Sequence, residues 1–172
     1  MKKLRKGQRG FTLIEVLIVV SLTGLIAAGL TTTIMQVLTM SHRTTNRMTA
    51  VRQVRQAGFW VSPDVMMSQN RTLGEDSGFP LTLTWIQWGT NDTHEVIYTL
   101  VDMPGGLKKL QREHYIDSGL DATNIVAEYI DADPGHTSFV QDGSKYIFTV
   151  TATVGGQNET REYEVQPRPE SL

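Results

Sequence analysis

An uninterrupted apolar run follows the basic start of the chain. Phe11 to Leu30 comprises twenty residues, of which Glu15 is the only charged one. At about 1.5 Å per helical residue, the run reaches roughly 30 Å, the thickness of the hydrocarbon core of a bilayer. The pattern therefore predicts a membrane-spanning helix over residues 11–30. A carboxylate inside such a helix costs about 3 kcal/mol unless it finds a partner, so we expect Glu15 to be functional.

Beyond Leu30 the apolar pattern changes from a continuous run to a stripe. Apolar residues recur mostly at three- and four-residue steps, which is the period of one face of a helix. They are Ile34, Val37, Leu38, Met48, Val51, Val54, Val61 and Val65. No proline occurs between Leu30 and Pro63, so we expect one helix over residues 11–61, with Ser62 and Pro63 capping it or starting a second helix.

From Gly74 onward the pattern alternates between apolar and polar residues, as it does in half-buried strands. Glycine and proline clusters separate the segments. We predict strands at Leu81–Trp88, Glu95–Leu100, Leu107–Arg112, Ile125–Ile130, Ser138–Val140, Tyr146–Val154 and Glu159–Gln166. The last two form the clearest hairpin, across residues 155–158. A long helix followed only by strands predicts an α+β fold, with an antiparallel sheet domain over residues 62–172 packed on the second half of the helix.

Charge is distributed unevenly along the chain. Residues 1–10 contain five basic residues and no acidic one: Lys2, Lys3, Arg5, Lys6 and Arg9. By the positive-inside rule, this leader keeps the N-terminus in the cytoplasm and places the C-terminal domain outside. The remaining residues carry eleven basic and eighteen acidic side chains, a net charge of −7. An acidic exported domain argues against a nucleic-acid partner. The chain has no cysteine, so the fold depends on packing alone.

The segment from Gly10 to Glu15, with the sequence Gly-Phe-Thr-Leu-Ile-Glu, resembles the class III signal of type IV pilins and type II secretion pseudopilins. The resemblance implies that a prepilin peptidase cleaves after Gly10 and methylates the new amino terminus at Phe11. It also implies that Glu15 pairs with the amine of a neighbouring subunit in a filament. The alternative is an ordinary signal anchor or secretory signal. A secretory signal, however, has its apolar region before the cleavage site rather than after it.

The order of the predicted elements resembles the minor subunits of this family. A Leu-x-x-Leu-x-Arg-like segment over residues 107–112 and the final hairpin are similar to J-type pseudopilins and W-type minor pilins. The resemblance implies a pilin-like subunit of the inner membrane that primes or caps a secretion pseudopilus or a type IV pilus. Its implied partners are the prepilin peptidase/methyltransferase, other minor and major subunits, the inner-membrane assembly platform and membrane lipid. No cofactor is implied.

Two other functions stay open at this stage: a pilus-tip binding module for adhesion or DNA uptake, and a signal-anchored exported enzyme. The four histidines are scattered without metal-ligand spacing, and no nucleophile motif occurs, so we do not predict an enzyme. Trp85 and Trp88 lie three apart on a predicted strand and should point to opposite faces, which leaves one of them as a candidate partner contact.

Two groups of charged residues allow both a functional and a simple interpretation. The basic residues of the helix, Arg43, Arg47, Arg52 and Arg55, could bind acidic neighbours in a filament or DNA, but charge runs on helices are usually solvated, which favours the simple interpretation. The acidic group of Asp131, Asp133 and Asp142 could bind calcium, but its spacing fits no EF-hand loop. A solvated turn is favoured there.

Overall fold

The computed structural model describes residues 10–167 of the chain. One helix, α1 (Leu13–Met67), is followed by eight strands. The chain divides into two compact units after His42. The predicted leader, residues 1–10, lies outside the described residues except for Gly10.

The first unit contains the N-terminal part of α1. Its side chains from Gly10 to His42 are all exposed, although most of them are apolar. Hydroxyl side chains within this part bond to the carbonyl group one turn earlier, as Thr31 does to Ala27 and Thr32 to Ala28, both at 2.9 Å. These bonds satisfy polar groups that an apolar surrounding could not satisfy.

The helix extends past the end that we predicted at residue 61. Pro63 lies inside α1, and the helix continues to Met67. Pro63 itself is exposed, whereas its neighbours Asp64 and Val65 are buried against the sheet. Tertiary packing of this last turn therefore outweighs the hydrogen bond that proline cannot donate.

The second unit contains the sheet. Its strands are β1 (Asn70–Gly74), β2 (Gly78–Ile86), β3 (Thr93–Asp102), β4 (Lys108–Ile116), β5 (Gly119–Ile130), β6 (Ser138–Asp142), β7 (Lys145–Val154) and β8 (Gln157–Val165). They follow the order β1-β2-β3-β4-β5-β7-β6, with β8 paired to β7, and every pairing is antiparallel. The predicted α+β fold is confirmed.

The core lies between α1 and the curled sheet. The helix contributes Ala50, Val54, Ala57, Val61 and Val65, all fully buried. They face apolar residues that alternate along the strands, including Leu81, Leu83, Val96, Tyr98, Phe148 and Val150. Gly58 allows the helix to approach β8 closely, because a Cβ atom there would lie 2.1 Å from Cζ of Tyr163.

Two tight hairpins turn through residues with positive φ. Gly155 and Gly156 connect β7 to β8 with φ of 54° and 75°, the two-residue turn that glycine favours. Asp117 and Ser118 connect β4 to β5 in the same way, with φ of 49° and 67°. The first hairpin is confirmed, with a shorter turn than we predicted. The second lacks glycine at the turn, so the sequence did not indicate it.

Candidate functional site

The residues that resemble a processing signal lie at the start of α1. Gly10, Phe11 and Thr12 precede the helix, and Phe11 is exposed. A Cβ atom added to Gly10 would have no neighbour within 4 Å. The bond between Gly10 and Phe11 therefore lies in irregular backbone outside the helical hydrogen bonds.

Thr12 caps the helix. Its hydroxyl oxygen accepts a bond from the backbone N–H of Glu15 at 3.4 Å, and the same hydroxyl lies 3.5 Å from Oε2 of Glu15. The carbonyl group of Thr12 accepts bonds from Glu15 and Val16. Thr12 is therefore the N-cap residue of α1, and its hydroxyl contacts both the amide and the carboxylate of Glu15.

Glu15 lies in the first turn of α1, where the exposed N–H groups favour a negative charge. Glu15 itself is exposed. The structure thus collects Gly10, Phe11 and Glu15 at one helix start, with Thr12 between them. We did not single out Thr12 from the sequence, although the Thr-x-x-Glu spacing before an apolar run is the signal that indicates it.

The helix that carries this site is suited to a membrane. Among the described residues, α1 is the one helix that is long and apolar enough to cross a bilayer, and its most apolar window is not buried in the protein. The single carboxylate in that exposed apolar part is Glu15.

Two histidines come together in the sheet, which the sequence did not indicate. Nδ1 of His94 lies 2.9 Å from Nε2 of His114, whose Nδ1 lies 2.9 Å from Oδ2 of Asp121. The ring of Trp85 lies nearly parallel to both, with centroid distances of 5.2 and 6.1 Å. His94 is buried rather than at the surface. Within residues 10–167, no three metal-ligating side chains are grouped around a possible ion.

Two of the three acidic residues that could bind calcium, Asp131 and Asp133, lie in the turn between β5 and β6, and the third, Asp142, ends β6. Oδ2 of Asp131 lies 2.8 Å from Nδ1 of His136, and Oδ1 of Asp133 accepts the backbone N–H of Gly135 at 2.9 Å. Asp142 instead lies near Lys145, at 3.8 Å. The three carboxylates serve separate local contacts, as expected for a solvated turn.

Trp85 and Trp88 have different surroundings, but not because they lie on opposite faces of one strand, as we predicted. Trp85 is half-buried and packs against the core. Trp88 is 99% exposed, and it lies in the β2–β3 loop, since β2 ends at Ile86. Trp88 is therefore the tryptophan available for a partner.

A capped, carboxylate-bearing apolar helix followed by an antiparallel sheet is the layout of a type IV pilin-like protein. The family model described as the prokaryotic N-terminal methylation motif matches residues 5–31. No curated protein and no solved structure matches the chain. The motif and the helix together support a precursor of the pilin or pseudopilin type that a single helix anchors in a membrane. This class consists of structural subunits, processed by a prepilin peptidase and assembled with other pilin-like subunits.

Proposed function

We propose that the protein is a minor pilin or pseudopilin, which primes or caps a type II secretion pseudopilus or a type IV pilus. The observation that carries the proposal is the methylation motif over residues 5–31 at the start of an exposed apolar helix. The absence of cysteine favours a minor subunit, because major pilins of many Gram-negative bacteria close a loop with a disulfide.

Processing uses the irregular backbone before α1. The peptidase cleaves the bond between Gly10 and Phe11 and methylates the new amine of Phe11. The basic leader holds this bond at the cytoplasmic side of the inner membrane, and the sheet domain lies outside.

Assembly uses Glu15. In the membrane its carboxylate is costly unless an opposite charge is close. The Phe11 amine of a neighbouring subunit supplies that charge and sets the axial position of the two helices. The subunit then leaves the membrane as part of an extracytoplasmic filament, with the assembly platform and other subunits as partners.

The test is the intact mass and N-terminal sequence of the membrane-extracted protein, with and without an active prepilin peptidase. A chain that begins at methylated Phe11 only when the peptidase is present supports the proposal. A chain that retains residues 1–10 under both conditions, or that is cut elsewhere, refutes it.

A second function, binding at a pilus tip, is favoured by the complete exposure of Trp88 in the β2–β3 loop. Exposed tryptophan is enriched at the centres of protein interfaces. Under this alternative, Trp88→Ala in the full chain abolishes attachment or DNA uptake and leaves filament assembly unchanged. Loss of assembly itself would instead place Trp88 in a subunit contact.

A further inference from the structure

The side of α1 that faces away from the sheet carries a second regular stripe. These residues are all exposed and follow one another at steps of four, three, four and seven positions. They are Met48, Arg52, Arg55, Phe59 and Met66. Such spacing keeps side chains on one helix face. We call these five residues the outer ridge. The buried stripe of α1 lies on the opposite side, so nothing among residues 43–167 covers the outer ridge.

The outer ridge is not an ordinary solvated face. Phe59 is 72% exposed and Met48 is 67% exposed, on either side of the two arginines. Within residues 10–167, no ion pair joins Arg52 or Arg55 to an acidic side chain. Large apolar side chains combined with unpaired arginines are typical of the centre of a protein interface. From the sequence, these arginines could belong to a binding surface or to a solvated face. Their combination with exposed apolar side chains favours a binding surface.

The distribution of charge along the chain indicates which surface of a second copy could bind the outer ridge. Between Val16 and Pro63 the sequence has four arginines and no acidic residue, so two outer ridges that face each other would bring like charges together. Residues 68–167 contain fifteen acidic and six basic residues. The complementary surface is therefore the sheet, and a helix-to-sheet contact between copies is heterologous, the type that builds open filaments.

One strand presents a matching pair of acids. Among the described strands, β8 is the one with two acidic residues on the same exposed face, Glu162 and Glu164. They are separated by about 7 Å, the rise of two strand residues. Side chains three apart on a helix, as Arg52 and Arg55 are, lie about 5–6 Å apart at Cβ. Lys145 pairs with Glu164 at 3.0 Å, whereas Glu162 has no ion pair in the described part of the chain.

We propose that the outer ridge of one copy docks on the exposed face of β8 of a second copy, with Arg52 and Arg55 paired to Glu162 and Glu164. Phe59 is covered in the same contact. This inference rests on the proposed function, because it assigns the surface through which a filament subunit holds its neighbour.

The absence of cysteine in the sequence allows a direct test by disulfide formation in membranes. Two differently tagged full-length copies are expressed together, one with Gln56→Cys beside the outer ridge and the other with Thr160→Cys on the exposed face of β8. Oxidation should give a mixed-tag dimer. The matched control replaces Thr160→Cys by Thr90→Cys, which is also exposed but lies in the β2–β3 loop, and should give no such dimer.

Charge reversal tests the pairing itself. Arg52→Glu with Arg55→Glu in the first copy should lower the yield of mixed-tag dimer about tenfold, as expected for a loss of 1.4 kcal/mol. Glu162→Arg with Glu164→Arg in the second copy should restore it, which shows that the reversed helix still folds. The inference is overturned if the yield of mixed-tag dimer equals that of the Thr90→Cys control. It is also overturned if charge reversal does not change this yield, or if disulfides form with other proteins alone.

Failure of the docking surface can be distinguished from failure of the proposed function. The N-terminus of the same membrane-extracted protein is determined in parallel. A chain that begins at methylated Phe11 and gives no mixed-tag dimer overturns the docking surface and leaves the proposed function standing. A chain that retains residues 1–10 overturns the proposed function on its own.

Discussion

Asp64 of α1 and Arg112 of β4 form a buried ion pair that joins the helix to the sheet. Oδ2 of Asp64 accepts bonds from Nε of Arg112 at 2.7 Å and from the hydroxyl of Tyr98 at 2.5 Å, and Oδ1 lies 3.3 Å from Nη2 of Arg112. Burial by itself would lower the pKa of Arg112, but the hydrogen bonds and charge of Asp64 outweigh it and raise that pKa. The guanidinium also lies 5.3 Å from the ring centroid of Trp60.

Removing one partner of this pair should strongly destabilise the protein. We expect Arg112→Met to lower the free energy of unfolding by about 3–5 kcal/mol, because the Asp64 carboxylate is left buried without its counter-charge. Denaturant unfolding of the full chain in detergent, followed by tryptophan fluorescence to which the nearby Trp60 contributes, measures the change. The control is Glu164→Gln, which breaks the exposed pair with Lys145 and should have little effect. Equal effects of the two changes would contradict a structural role for the buried pair.

Tyr98 should make stability fall at alkaline pH. Burial raises the pKa of its phenol far above the usual value, and Asp64 adds to the effect. Below about pH 10 the phenol keeps its proton in both states, so its contribution is fully present. As the pH rises further, the unfolded chain loses this proton first, and stability should decrease by up to about 1.4 kcal/mol per pH unit.

The check is the pH dependence of unfolding for the native sequence and for Tyr98→Phe. The variant should be less stable at neutral pH by about 1 kcal/mol, because Asp64 loses one hydrogen bond. It should also depend less steeply on pH above 10. An identical slope in the two proteins would show that other groups cause the alkaline loss.

The cap at the start of α1 should depend on the Thr12 hydroxyl. We expect Thr12→Ala to destabilise the first turn by about 1 kcal/mol, because the Glu15 amide loses its side-chain acceptor. Amide hydrogen exchange in detergent micelles should then be about fivefold faster at Glu15 and Val16. Thr12→Ser keeps the hydroxyl and should exchange like the native sequence. If both variants exchange alike, the hydroxyl does not cap the helix.

Local patterns in the sequence were sufficient for the long helix, most of the strands and the β7–β8 hairpin. β1 was missed because Asn70–Gly74 is largely polar and takes its strand form from pairing with β2. The contacts of Asp64 with Arg112, and of His94 with His114, depend on packing and register between segments 48 and 20 residues apart. Such contacts leave no periodic signal. The N-cap at Thr12 is local, so the Thr-x-x-Glu spacing before the apolar run could have indicated it.

Replacing Glu15 by an apolar residue should separate membrane insertion from assembly. We expect Glu15→Val to insert at least as well as the native chain, since it removes a carboxylate that costs about 3 kcal/mol in the apolar helix. Incorporation into filaments should fail, because the Phe11 amine of a neighbouring subunit loses its counter-charge. The measurement is the amount of tagged protein in sheared filaments relative to membranes. Val16→Ala, which leaves the carboxylate in place, is the control and should incorporate normally. Normal incorporation of Glu15→Val would show that assembly does not require this pairing.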